Sequence, residues 1–476
     1  MVEWPCGGAG AGGAAGLMLF STQGFLLGFL PVVLVLYYLC APVRRARQGL
    51  MIAASLVFYG LWDWRFVPFL VGMTLLNWAL ACLWGRTRGR AWLLGGIAFN
   101  ICVLVFFKDA NWLAGVLAAL RGQAFHPWDI VLPLGLSFFV FQKISYLVDL
   151  WRGRAPVYGL VDFLEFVTFF PQLIAGPIVR HNEIVPQFAQ SPRNGAMWEN
   201  LSRGAMLLLI GLAKKAGLAD TLASLCDPVF ALVAQGHVPT VGQAWLAALA
   251  YALQIYFDFS GYSDMAIGMA LMFGLRLPFN FDAPYRSVSI RDFWRRWHMT
   301  LSRFLRDYLY IPMGGNRCGA TRQACNLGAT MLLAGAWHGA GWTYLAWGGL
   351  HGGALAVAHG WGRRGTPMPA LVGWALTMLF VMLSWVVFRA PDMGAARTML
   401  RAMAGMGGHD HAATGHHGVV LAIAVVVALV GPSSQRAILR DMPPAPWVAV
   451  AGGIAFVLLI LLIGGRIPDP FIYFQF

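Results

Sequence analysis

An all-α polytopic membrane protein is the fold class this sequence predicts, and three observations predict it. Of its 476 residues 59% are hydrophobic and 11% charged, with a mean hydropathy of +0.64, whereas a soluble domain carries about a quarter charged residues. Apolar stretches recur along the whole chain at the length a bilayer demands, roughly 20 residues per helix. Basic residues collect in alternate loops, as they do on one side of a membrane.

Taken in order, the chain opens on a Gly/Ala-rich tail, residues 1–17, with no basic n-region. It reads as disordered rather than as a signal peptide, and Met18 reads as a natural start. Candidate spans follow at 20–41, 50–63, 66–84, 91–107, 130–150, 204–232, 242–274, 325–340, 342–359, 369–388, 418–431 and 447–465. Some are short, so about 11 crossings are expected, with further segments that enter and leave on one side. Residues 160–180, LVDFLEFVTFFPQLIAGPIVR, are apolar but broken by Pro171, Gly176 and Pro177, and fit a re-entrant segment or a kinked helix equally well.

Arg44, Arg45 and Arg47, then Arg86, Arg88 and Arg90, then Arg152 and Arg154 fall in alternate loops, with Arg65, Lys108 and Arg121 between them. This places the N-terminus outside and the basic loops in the cytoplasm. Segment 276–322, with nine arginines against three aspartates, belongs with them. The net charge of +14 needs no nucleic-acid partner to explain it, and no nucleic-acid motif is present. Cys6, Cys40, Cys82, Cys102, Cys226, Cys318 and Cys325 show neither CxxC nor metal-ligand spacing, so no disulfide framework is expected. His409, His411, His416 and His417 read as a solvated loop rather than a metal site, because no Cys or Glu joins them.

Three stretches carry candidate chemistry. In RDFWRRWHMTLSRFLRDYLYIPMGGNR (291–317), a helix over Ser289–Tyr308 would place Arg291, Arg295, His298 and Ser302 on one face. Trp294 and Trp297 beside them suit a membrane interface. Guanidinium forks match phosphate, so this face suits an anionic cofactor; a helix resting on anionic lipid is the plainer alternative. In LLAGAWHGAGWTYLAWGGLHGG (332–353), His338 lies 13 residues past Cys325, about 20 Å along a helix and near mid-membrane. An ionisable group there marks function by default, the alternative being a neutral histidine bonded to a carbonyl. Gly335, Gly339, Gly341, Gly348 and Gly349 let another chain approach closely, and His351 and His359 look secondary. In YALQIYFDFSGYSDMAIGMALMFG (251–274), Gln254, Asp258 and Asp264 would orient a histidine or an arginine, or bind helices through Ser260, Tyr262 and Ser263.

Together with FPQLIAGPIVR and the terminal PFIYFQF, these stretches resemble the membrane-bound O-acyltransferase (MBOAT) family, and within it the bacterial branch that O-acetylates exopolysaccharides. The resemblance runs from about Met18 to Phe476 and treats 18–476 as a single domain; the tail and the His-rich loop depart from it. It implies about 11 transmembrane helices around a central funnel, with re-entrant and interfacial helices, in the bacterial inner membrane. It implies a catalytic histidine, matched by His338, and a second functional one, matched by His298. No bound cofactor or metal is implied; acetyl-CoA is the expected donor, held by Arg291, Arg295, Arg296 and Ser302. Trp337, Trp297, Asp258 and Gln254 are the expected supporting residues. The implied partners are a periplasmic acetyltransferase, membrane lipids and a polysaccharide acceptor, with alginate and cellulose both fitting. D-alanyl transfer toward teichoic acid, a proton-coupled transporter and a scaffold of the secretion complex are the competing functions.

Overall fold

The structure, a computed structural model, describes residues 19–174, 176–365, 367–464, 471 and 472; the tail at 1–17 and Met18 lie outside them. Among the described residues the chain is helical, apart from an isolated bridge between Pro239 and Asp410. A π-helical turn at Gly24–Phe29 leads into α1 (Leu30–Leu39), α2 (Arg44–Asp63), α3 (Val67–Thr87), α4 (Arg90–Leu120) and α5 (Leu136–Trp151). The short α6 (Leu160–Thr168), α7 (Phe170–Leu173) and α8 (His181–Ile184) follow. Then α9 (Met197–Leu212) passes through a π segment, Ala213–Ala219, into α10 (Asp220–Ala234), and α11 (Val241–Met272) returns. The short α12 (Ile290–Arg296) and α13 (Met299–Leu305) precede the long α14 (Gly319–His338), α15 (Trp342–Arg363) and α16 (Ala370–Arg389). The chain closes with α17 (Met393–Met403), α18 (Gly418–Val430) and α19 (Pro446–Ile463). Proline occupies the first turn of α1, α3 and α19, where its missing N–H is no loss. Thr240 caps α11 by accepting from Gln243 N–H, and Asp392 caps α17 by accepting from Ala395 N–H.

Among the described residues, five stretches suffice by length and composition to cross a membrane: Arg44–Thr87, Arg90–Leu120, Met197–Ala234, Ala370–Arg389 and Pro446–Ile463. Gly24–Leu39 and Gly418–Val430 are shorter apolar helices. Long helices outside that set, α11, α14 and α15, carry polar residues that they bury inside the protein: Asp258 and Asp264, Asn326 and His338, and His351. Outward faces are hydrocarbon; Val419, Val430 and Leu461 are 75%, 72% and 68% exposed, as lipid-facing residues are. Helix α4 continues past Lys108 to Leu120, so Lys108 is a helical residue and not the loop cation expected.

Between helices, glycines set the closest approaches. In α9 and α11, Gly211 opposes Gly261 and Gly204 opposes Gly268. A Cβ added at Gly211 would stand 2.5 Å from Gly261 O. In the α14–α15 hairpin, a Cβ at Gly335 would stand 2.3 Å from Tyr344 O and one at Gly348 the same distance from Met331 O. The chain that these glycines admit is therefore the neighbouring helix of the same hairpin. With no hydrophobic drive between helices in lipid, such backbone contact is what holds them.

Residues 160–174 and 176–180 double back on themselves, the path of a re-entrant segment rather than of a kinked crossing helix. They start beside Arg44, which pairs with Asp162 (2.8 Å), and climb until Leu173 O meets Gly135 at the far end of α5. They then return to Arg180 and His181, bonded to Asp307 (2.8 Å) and Asp149 (3.2 Å). Phe170 N–H donates to Ser55 Oγ at 3.1 Å, one way this irregular backbone is satisfied inside protein. The basic loops meet at one end, the basic face. There Arg47 donates to Phe188 O and Gln190 O, and Arg152 to Asp307 O. Asp307 is held below the usual carboxylate range: burial pushes it up, but hydrogen bonds from Arg306 and Arg180 outweigh that.

Helix propensity favours Ala over Gly by up to about 1 kcal/mol, so the sign of a Gly substitution reports the packing. Gly211→Leu is expected to lower stability by about 2 kcal/mol or more through overpacking. Gly72→Ala, with nothing within 4 Å of the new Cβ, should be neutral or stabilising. Thermal unfolding midpoints in detergent check the pair, and equal midpoints for Gly211→Leu and wild type would refute the close-packed interface.

Candidate active site

The helix expected over Ser289–Tyr308 is broken at its centre. Ser289 caps α12 by accepting from Asp292 N–H (3.2 Å), and α12 ends at Arg296. Trp297 is extended (φ −98°, ψ 129°), and His298 is left-handed (φ 43°, ψ 54°), a conformation costing an L-residue roughly 1 kcal/mol or more. Residues 280–282 take over the pairing, with Asp282 N–H donating to Arg296 O and Met299 N–H to Asn280 O. The shared face therefore does not form. His298 is fully buried, while Arg291 and Arg295 are exposed. Arg296 pairs with Asp292 (3.0 Å), and Ser302 is half-buried, donating to Trp297 O at 3.5 Å. Nor are Trp294 and Trp297 interfacial: they are 8% and 1% exposed. Trp294 donates to His351 Nδ1, and Trp297 packs on Phe293 and Trp385.

What holds His298 is Asn280, which the sequence analysis passed over. Asn280 Oδ1 lies 3.0 Å from His298 Nδ1, 3.2 Å from Thr300 N and 2.9 Å from Thr300 Oγ1. A backbone N–H can only donate, so that atom is the amide oxygen and His298 Nδ1 carries the proton. In the neutral ring, Nε2 then bears the lone pair. Thr300 Oγ1 also accepts from Ile178 N–H (3.0 Å), which ties the returning limb of the re-entrant segment to the same node. Asn280 Nδ2 reaches Ser263 Oγ of α11 at 3.4 Å.

His338 is the last residue of α14, at the turn into α15, rather than embedded within a continuous helix. Its ring is enclosed by Trp337 (4.7 Å between centroids), Trp347 (5.1 Å) and Phe388 (5.3 Å). Trp337 also meets His298, at 6.4 Å, so one indole connects both histidines. Phe141 stacks on Trp337 at 5.0 Å. Lys108 Nζ donates to Trp337 O and stands 5.6 Å over its ring, a cation placed on the C-terminal carbonyls of α14. A cavity of about 170 Å³ opens beside Gly339, lined also by Asp109, Trp112 and Gly341. His351, whose Nδ1 accepts from Trp294, donates through Nε2 to Ser384 Oγ (3.0 Å) and is satisfied structurally.

Gln254 and Asp258 do not join this group. Gln254 accepts from Cys226 Sγ, and Asp258 pairs with Lys215 (2.7 Å). Asp264 pairs with Lys214 (2.6 Å). These acids orient lysines of the π segment, not a histidine or an arginine. In the His-rich loop, Asp410 bonds His237 (3.4 Å) and Val238 N–H, and no metal-ligand cluster converges among the described residues.

Asn280→Leu keeps the volume but strands the Thr300 N–H and His298 Nδ1–H donors, each worth about 1–3 kcal/mol when left unmet. Its thermal midpoint is expected to fall well below that of Asn280→Asp, which keeps the acceptor. Equal midpoints for the two would show that the node does not hold this region.

Residues 99–391, which include Asn280, His298 and His338, match the MBOAT, membrane-bound O-acyltransferase family. The chain is 44% identical to the "Probable alginate O-acetylase AlgI" of Pseudomonas syringae pv. tomato, over 82% of this chain and 76% of that protein. The protein of that description from Pseudomonas putida is 40% identical, over 96% of this chain and all of its own length (100%). The "Peptidoglycan O-acetyltransferase" of Helicobacter pylori is 38% identical, over 82% and 81% of the two chains. An acyltransferase with a helical membrane fold, this chain belongs to the membrane-bound O-acyltransferase family.

Proposed function

We propose that the protein is a multi-pass inner-membrane O-acetyltransferase that takes acetyl from cytoplasmic acetyl-CoA. It passes the acetyl to hydroxyls of an extracytoplasmic polysaccharide, alginate or a related polymer, with a periplasmic partner completing the transfer. The observation that carries this reading is the pair of buried histidines joined by Trp337, with one of them at the far end of a helix that starts on the basic face. The names of the similar O-acetylases support it.

At the basic face, Arg303 pairs with Glu183, Arg306 with Asp307 and Arg296 with Asp292 and Asp282. Arg291, Arg295, Arg317 and Arg322 are exposed, with no carboxylate in ion-pair range among the described residues. These are the guanidiniums suited to the phosphates of CoA; Arg296 and Ser302 are already engaged. In the transfer, the neutral His338 imidazole removes the acceptor hydroxyl proton while that oxygen attacks the thioester carbonyl. A carbon–oxygen bond forms, the carbon–sulfur bond breaks, and the imidazolium returns the proton to the leaving thiolate. His298, its Nδ1–H committed to Asn280, offers an acceptor nitrogen. That suits holding a donor on the pantetheine arm better than stabilising an oxyanion. The cavity beside Gly339 lies next in sequence to His338, and on this reading the acceptor comes from that side.

His338→Ala is expected to lower the acetyl content of the polysaccharide by about 100-fold or more at matched membrane levels, as loss of a general base does. The Arg291→Gln/Arg295→Gln double variant should raise the KM for acetyl-CoA about tenfold with kcat kept, the signature of lost uniform binding. Undiminished acetylation by His338→Ala would overturn the assignment.

A further inference from the structure

Phe471 and Ile472 are 0% and 4% exposed, set down against the middle of α11. Ile472 N–H donates to Asp258 Oδ2 (2.8 Å). The Phe471 ring lies 4.7 Å from Tyr262 and 5.6 Å from Phe259. Phe259 meets the His298 ring edge to face, with centroids 4.7 Å apart and planes at 84°. A continuous line of contacts thus runs from these two residues to His298.

Electrostatics explains why the docking is specific. Asp258 Oδ1 pairs with Lys215, whose ammonium also holds Asp220 at the same 2.7 Å. Asp258 and Lys215 are 2% and 3% exposed. One ammonium shared by two carboxylates leaves Asp258 Oδ2 in need of a donor where water is excluded. The Ile472 amide supplies it, and a backbone donor fixes register: with Ile472 at Asp258, Phe471 falls on Phe259 and Tyr262. Residues 471–472 of the terminal motif and the acid of α11, which no step of the transfer uses, are therefore two halves of one contact.

We infer that Asp258 is the receptor for residues 471–472, and that the docked pair positions His298 through Phe259. The inference rests on the reading that His298 serves the transfer. Asp258, Phe471 and Ile472 are positioning residues, acting on His298 through Phe259.

Ile472→Pro deletes the N–H, and Ile472→Val keeps it. In the full-length detergent-purified protein, Ile472→Pro is expected to lower kcat about 10- to 100-fold with the KM for acetyl-CoA within about twofold, the scale of a 1 Å misplacement. Ile472→Val should keep wild-type kcat. A second readout needs no turnover: carbethoxylation of His298 by diethyl pyrocarbonate, followed by mass spectrometry, should be slow in wild type and Ile472→Val and fast in Ile472→Pro. Wild-type kcat together with unreactive His298 in Ile472→Pro overturns the inference. A wild-type protein that transfers no acetyl would count against the proposed function instead, and His298 reactivity then decides this one.

Discussion

Donors converge on one amide oxygen, Asn280 Oδ1, and the arrangement of the site depends on that convergence. In an interior without water, a backbone N–H or imidazole N–H left without an acceptor costs more than a local helix gains. The chain accepts a left-handed residue at His298 because the break delivers the Met299 and Thr300 amides and the His298 ring to Asn280. Thr300, once turned inward, gives Ile178 N–H its acceptor, and so the re-entrant segment finds a partner for a backbone that cannot be helical there. The His298 tautomer, the helix break and the return of residues 176–180 follow from one polar group in an apolar place.

Charge is handled by the same rule at two depths. Lys214 and Lys215 sit where the α9–α10 helix widens into its π segment, and each is matched by an acid of α11, Asp264 and Asp258. Ser434 donates to Asp264 as well, so the buried carboxylate is both paired and hydrogen-bonded. Toward the basic face the matching becomes selective. Asp307, Glu183 and Asp292 neutralise the guanidiniums that staple short elements together. Arg291 and Arg295, on the exposed side of α12, are left to solvent. Cations that hold the fold and cations that face outward therefore occupy one short stretch, told apart by their carboxylate partners, some near in sequence (Asp292, Asp307) and one distant (Glu183).

That division explains what was legible in the sequence. Helical class and most element positions were, because hydrocarbon length is a local property: 242–274 against Val241–Met272, and 418–431 against Gly418–Val430, differ by a residue or two. His298 and His338 stood out because an imidazole in apolar sequence is conspicuous. The face of Arg291, Arg295, His298 and Ser302 was not legible, since the residues that break the helix, Asn280 to Asp282, compete from a separate segment. Lys108 was visible but misread as a loop cation; it lies within α4, and its ammonium ends on Trp337 O, a contact across 229 positions that the local sequence does not show. Asn280 left almost no signal, a single amide in LPFNFD, because its importance lies in which donors the fold brings to it.

Trp337 finally sets what kind of site this is. Its indole is stacked by Phe141, faced by the Lys108 ammonium and in contact with both histidines, while its carbonyl accepts a hydrogen bond from Lys108. A flat side chain held from these directions has no second rotamer to visit without emptying the space between α4, α5 and α14. His338 follows it along the backbone, and the α14–α15 turn that carries His338 is closed by Gly335 and Gly348 at backbone contact. The two imidazoles are thus fixed relative to each other by helices and rings rather than by a loop, the condition for holding reacting groups to a fraction of an ångström.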